Sequence, residues 1–396
     1  MTADAGGPAV RPSPAVPERR RRRLRRRGFV WIGAAGALVV LAGTGLTWWT
    51  SDHARLPAPS GPAPVGRARL TFTENVPDGL GDSPTSPRQV AVTLLYPAVR
   101  SGPASPYAPG RLAGPVAADM HVPAFLLNQM VRPHLRDGAS AASRTPLLVF
   151  LPGWSTPAQY YTSTLEDIAS HGYAVAAVWP TDCSDFTVLG HRVVRQTRAG
   201  RDPTLSTPDP GAAVPVRRRV ADYWLRDAST VIDRLLAAGS PWRAHLDPGR
   251  VGAFGNSFGG AVAAELTARD RRVRAAADLG GGPVEGIESA ASVRGPIMLL
   301  RADDRARGFG SDQAERDRTA YAYSYSSAKP LYDFVLRGFL PETFVSDKAV
   351  LARRFARARG PSAHDTVTVP DRLLVSFFDH HLRGTPGPFP PPGTPG

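Results

Sequence analysis

The chain has one cysteine, Cys183, among its 396 residues, which excludes an intramolecular disulfide, a CxxC redox pair and a thiolate zinc cluster. A lone thiol fits both oxidising and reducing compartments. Metal-ligand spacings, a phosphate-binding P-loop and internal repeats are also missing, so no cofactor is expected. Lysine is scarce, and the formal net charge of +14 is carried by arginine. Residues 1–28 hold nine arginines against Asp4 and Glu18, half of that excess. What remains is too diffuse over the rest of the chain to argue for a nucleic-acid partner. With 42% hydrophobic and 21% charged residues, the chain can bury a core of one large domain plus extras.

Charge is absent altogether from Gly28 to Thr50, directly after the arginine run Arg19–Arg27. Phe29–Trp49 is 21 residues, enough as a helix to cross the hydrocarbon core of about 30 Å. Arginines at one edge and Trp48 and Trp49 at the other fit a membrane helix with its N-terminus cytoplasmic and the body outside. The expected partition is therefore a cytoplasmic tail 1–28, a signal anchor 29–49, a Pro-rich linker 50–66, a body 67–383 and a disordered Pro/Gly tail 384–396. Arg26-Arg27-Gly28-Phe29-Val30 also resembles a twin-arginine export signal, which leaves secretion after cleavage as the alternative.

Within the body, short apolar runs read as strands: Ala68–Thr73, Val90–Tyr96, Leu147–Leu151, Tyr173–Trp179, Arg250–Phe254, Val273–Ala277, Pro296–Leu300 and Tyr332–Leu336. From the third onward they are continuously apolar, as strands buried on both faces must be. Helical patterns lie between them, including Leu165–His171 and Val220–Leu236. In the latter, Val220, Trp224, Ala228, Val231, Ile232 and Leu235 form one stripe. The pattern predicts an α/β fold, with a mostly parallel central sheet and helices on both faces.

Gly255-Asn256-Ser257-Phe258-Gly259 is G-x-S-x-G at the end of a predicted strand and the start of an alanine-rich helix. That setting exposes Ser257 at a helix N-terminus, where developing negative charge is favoured, and predicts an α/β-hydrolase fold. A serine hydroxyl is a weak nucleophile at neutral pH, so it needs a base, an acid to orient that base, and donors for the oxyanion. Strand Leu147–Leu151 ends in Pro152-Gly153-Trp154, which makes the Trp154 and Phe258 amides the candidate oxyanion donors.

Val92–Ala98, Phe150–Trp154, Asp167–Val178 and Gly255–Gly260 resemble the plasma-type platelet-activating factor acetylhydrolases, with bacterial lipases and polyester hydrolases as relatives of the same superfamily. The resemblance spans most of residues 67–383. It implies a secreted or surface serine esterase, independent of metal and calcium, that cleaves short or oxidised acyl chains from lipid-like esters. It places the catalytic acid at Asp278, at the end of a buried strand where a carboxylate is costly unless paired. Asp303 and Asp304 occupy the acid position of many other α/β-hydrolases. The family's histidine stretch, H-x-x-F-x-D, meets Phe344 here, but its histidine position is Pro341. His364 is the substitute base that keeps the order Ser, Asp, His. His380 and His381 fall on a closing helix, and His121 and His191 in upstream loops.

Residues 183–219 read as a lid-like insertion, and Trp154, Tyr160, Tyr161 and Trp179 as candidate liners of an acyl pocket. Two functions follow as expectations. One is a membrane-anchored serine hydrolase of small ester or lipid-like substrates, and the other a catalytically impaired hydrolase-fold surface or binding protein.

Overall fold

The computed structural model describes residues 55–83, 85–99, 102–131, 133–203, 210–281, 293–303, 325–356 and 360–390, which belong to one compact unit. The expected tail 1–28, the anchor 29–49 and Asp304 lie outside the described residues. Among the described residues, no helix is long and apolar enough to cross a membrane.

In chain order the elements are β1 (Val65–Pro77), β2 (Pro87–Pro97), α1 (Ala113–Asp119), α2 (Ala124–Met130), β3 (Arg136–Asp137), β4 (Thr145–Leu151), α3 (Thr162–Ser170), β5 (Ala174–Trp179), β6 (Phe186–Leu189), β7 (Arg192–Arg195), α4 (Pro210–Leu236), β8 (Leu246–Asn256), α5 (Phe258–Arg269), β9 (Val273–Leu279), β10 (Ile297–Ala302), β11 (Leu331–Leu336), α6 (Ser346–Ala356) and α7 (Asp365–Phe378). All eight strands read from the sequence are present. The main sheet runs β11-β10-β9-β8-β4-β5-β2-β1-β3. It is parallel from β11 to β5 and turns antiparallel at β2 and β1. Strands β4 and β5 are buried along their whole length, because helices cover both faces. On one face lie Leu165 and Ile168 of α3, Val350 of α6 and Leu374, Phe377 and Phe378 of α7. On the other lie Trp224, Val231 and Ile232 of α4 and Val262 and Leu266 of α5. The stripe expected on Val220–Leu236 is the buried side of α4.

Three expected segments have structure among the described residues. The described part of the linker 50–66 is docked rather than free: Leu56 is buried, and the end of α3 accepts the Gly61 and Ala63 amides at Ser170. A helix C-terminus has unpaired carbonyls to offer, and here the linker backbone takes them. In the tail from 384, Phe389 docks on the body, 4.7 Å from Tyr332 and 5.6 Å from Phe377, ring centre to ring centre, while 384–388 are exposed. The lid-like insertion near 183–219 divides into the β6–β7 hairpin and, from Pro210, the first turns of α4.

Candidate active site

Strand β8 delivers the chain to Ser257 at φ 53°, ψ −128°, a region a side-chain-bearing residue enters at a cost of about 1–3 kcal/mol. Surrounding bonds hold it there. The Ser257 amide donates to Leu279 O at 3.0 Å and its carbonyl accepts the Gly260 amide at 2.8 Å. A Cβ on Gly259 would strike the Leu151 and Pro152 carbonyls, so this glycine lets the elbow close on the end of β4. Ser257 itself is exposed at the N-terminus of α5. Among the described residues, its hydroxyl has no hydrogen-bond partner.

The loop after β4 faces this elbow. Gly153 donates its amide to the Tyr161 hydroxyl at 3.1 Å, whereas the Trp154 and Phe258 amides are engaged by no acceptor among the described residues. They remain the two candidate oxyanion donors. The Trp154 ring lies 4.3 Å from that of Phe258, and its indole nitrogen donates to Gly200 O at 2.8 Å. The 182–200 segment therefore braces the loop: Gln196 also donates to Ser155 Oγ at 2.7 Å.

Tyr160 and Tyr161, expected as pocket liners, are core residues instead. Tyr161 accepts from Gly153 and donates to Asn256 Oδ1 at 2.7 Å, and Asn256 Nδ2 donates to Leu279 O at 2.7 Å. One buried chain of bonds thus ties the oxyanion loop, the residue before the nucleophile and the end of the strand that carries Asp278. Sequence reasoning missed it, because an aromatic near a strand end and the variable residue of G-x-S-x-G carry no signal of meeting. Burial pushes the Tyr161 phenol far above its ordinary range, so it stays a donor.

Asp278 pairs with Gly255 of β8 in register and is 1% exposed. Its Oδ1 accepts the Gly281 amide at 2.9 Å and its Oδ2 the Tyr325 hydroxyl at 2.8 Å. A Cβ on Gly260 would collide with Oδ1, so the carboxylate lies against the first turn of α5. Asp303 follows β10 and accepts the Gly338 amide at 2.9 Å while its own amide donates to Phe339 O. It braces the turn after β11.

The residues at Pro341 form a short 3-10 helix, Pro341–Phe344. Phe344 packs on Gly280, at φ 61°, so this stretch reaches the strand end beside Asp278 but brings no imidazole. His364 precedes α7. The far end of that helix, at Phe378, lies against Gly252 in the middle of β8. His364 is exposed, and its ring makes no hydrogen bond among the described residues. No contact among the described residues joins it to Ser257 or Asp278.

The other described histidines are held elsewhere, His134 against Leu56 O at 3.4 Å. His245 precedes β8 and bonds Ala142 O, and His171 precedes β5 and bonds Ser60, both at the opposite edge. His381 packs on Phe377 and on Tyr332 at the start of β11, where burial beside His380 pushes its pKa down to about 4. His121 is turned onto Asp119 O, and His191 sits at the β6–β7 turn.

No family model matches the sequence, and no curated protein matches it. Among solved structures, the ferulic acid esterase from Streptomyces cinnamoneus superposes with a TM-score of 0.64 at 29% identity, covering 86% of this chain and 97% of that one. A second solved chain, at 14% identity and a TM-score of 0.45, is too remote to bear on the fold or the chemistry. The large, mostly parallel sheet of this chain is consistent with that α/β-hydrolase-type esterase.

Proposed function

We propose that this protein is a carboxylic-ester hydrolase that works through Ser257. The observation that carries this reading is the left-handed, exposed serine at the head of α5, a strained geometry with no packing role to explain it. Ser257 Oγ attacks the ester carbonyl, the Trp154 and Phe258 amides receive the oxyanion, and the alcohol leaves with the proton taken from Ser257. Water then releases the acyl group as a carboxylic acid. Asp278 is the acid assigned to orient a base, and His364 is the histidine that keeps the chain order Ser, Asp, His. The Trp154 and Phe258 rings offer an apolar wall, which suits short-acyl, lipid-like or aromatic acyl groups on small-molecule esters. The esterase neighbour supports this class.

Conversion of Ser257→Ala abolishes both fluorophosphonate labelling and release of nitrophenol from short-chain esters if this is right; residual turnover at the original rate refutes it. A panel of nitrophenyl acetate, nitrophenyl octanoate and methyl ferulate ranks acetyl, longer acyl and aromatic acyl specificity.

A second reading has one specific observation in its favour: among the described residues no imidazole hydrogen-bonds Ser257, and the stretch expected to supply one carries Pro341. A hydrolase-fold protein without a base would bind rather than cleave. His364→Ala separates the two, since loss of the catalytic histidine alone costs about 10⁶ in turnover in subtilisin, whereas a chain that never used it shows no change.

We also assign the body to the outside of a cell membrane, anchored by 29–49. This rests on Arg19–Arg27 and the uncharged run that follows. Protease added to intact cells that spares the body refutes it.

A further inference from the structure

A cavity of about 360 Å³ lies away from Ser257, between the β1–β2 face, the short 3-10 helix Gly110–Leu112 and the β6–β7 hairpin. Its volume is at the lower end for small-molecule sites. Three cation-capable side chains line it, Arg69, Arg111 and His191, and no acid does. Neither arginine forms an ion pair or a hydrogen bond among the described residues. Arg88, by contrast, holds Asp78 and Asp227, Arg218 holds Glu265, and Arg301 holds Asp333. The larger cavity, of about 600 Å³, mixes Asp78, Asp82 and Asp182 with Arg192, Arg195 and Arg198. The smaller one carries positive charge with no acid in its lining.

Its other walls are apolar, with Leu112, Val188 and the ring of Trp179. The Trp179 indole N–H is already given to Thr93 Oγ1 at 2.9 Å, so that residue presents ring surface rather than a donor. Thr93 is the cross-strand partner of Arg69, which sets the charge and the indole side by side on one face of the sheet. We infer that this cavity is a binding site for a small carboxylate with an apolar, ring-sized body, the carboxylate meeting Arg69 and Arg111 and the body lying on Trp179. Guanidinium suits a carboxylate because its planar fork makes two parallel hydrogen bonds. The apolar walls distinguish this ligand from inorganic phosphate, which would leave them wet. The site does not depend on Ser257.

Calorimetry on the full chain carrying Ser257→Ala tests this with hydrocinnamate, its neutral amide hydrocinnamamide, and inorganic phosphate as probes. The carboxylate is expected to bind one-to-one, and the amide at least about tenfold more weakly, the effect of losing one charge-assisted contact. Arg69→Gln and Arg111→Gln should each weaken the carboxylate by about tenfold while leaving the melting temperature unchanged. Both arginines are solvent-facing, and the comparison of acid with amide needs no variant at all. Equal binding of acid and amide overturns the proposal, as does phosphate binding as tightly as hydrocinnamate, indifference to both arginine substitutions, or no binding of the carboxylate. Because the serine is absent throughout, failure here leaves the esterase reading untouched.

Discussion

Tyr161→Phe is the substitution that most directly tests how the candidate site is held. It removes one oxygen and keeps the ring, which packs 4.8 Å from Phe150. The Gly153 amide then loses its acceptor and Asn256 Oδ1 its donor, in a place where Tyr161 is 1% exposed and Asn256 5%. A buried group left without a partner costs about 1–3 kcal/mol, so two cost about 2–5 kcal/mol after partial relaxation. That is less than the total stability of most domains, about 5–15 kcal/mol, and the variant should fold with a lower melting temperature. The consequence for catalysis is sharper. Gly153 precedes Trp154, and Asn256 precedes Ser257, so freeing both lets the oxyanion donor and the nucleophile drift apart. Loss of one oxyanion donor outright costs about 10²–10³ in turnover. Loosening one should cost about 10–100-fold in kcat with little change in KM, because the ground state makes no use of that amide. The assay is kcat and KM on nitrophenyl butyrate, with the rate of fluorophosphonate labelling as a second readout. A melting temperature that drops while kcat stays at the parent value refutes the reasoning: the chain of bonds would then stabilise the fold and position nothing.

Asp278→Asn should lower kcat by about 10³–10⁴, as removal of the orienting acid's charge does in a serine protease. Fold is retained, because an amide can still meet the Gly281 amide and the Tyr325 hydroxyl; Asp303→Asn, measured in parallel, should leave kcat unchanged. Asp182 is pushed up to about 7 by burial and by the facing Asp78. Its folded pKa lies above the unfolded one, so the stability it contributes is full below the ordinary carboxylate range and is lost as pH rises towards 7. Melting temperatures taken from pH 4 to pH 8 should therefore fall, and Asp182→Asn should flatten that slope; an equally steep slope in the variant refutes the assignment. A chain that begins at residue 67 loses the burial of Leu56 and the bonds to Ser170. Burying one leucine stabilises by about 1.5–3 kcal/mol, so this chain should melt several degrees below one that begins at residue 55, as thermal denaturation would show.

Much of the sheet was readable in advance because its signal is local. A run such as Leu147–Leu151 has no polar face to offer, so it could only be covered on both sides. The elbow was equally legible. Gly255, Ser257 and Gly259 are separated by fixed steps, and the steric demand that selects them acts within five residues. The stripe on Val220–Leu236 marked the buried side of α4, but not its start at Pro210, since the earlier turns of that helix are mostly half-buried or exposed and carry no periodic signal.

What the amino-acid sequence determined by itself was therefore the kind of fold and the identity of the residue exposed at its sharpest turn. Only the tertiary structure decided which groups stand around that turn. Tyr161 and Asn256 are 95 residues apart, and they meet because β4 and β8 are neighbours in the sheet. The expected linker docks on Ser170 at the end of α3 through the Gly61 and Ala63 amides. Asp278 turns its carboxylate towards α5, where Gly260 leaves room. Periodicity fixes which side of a segment is buried; the partner on that side depends on the order of strands, which no local pattern encodes.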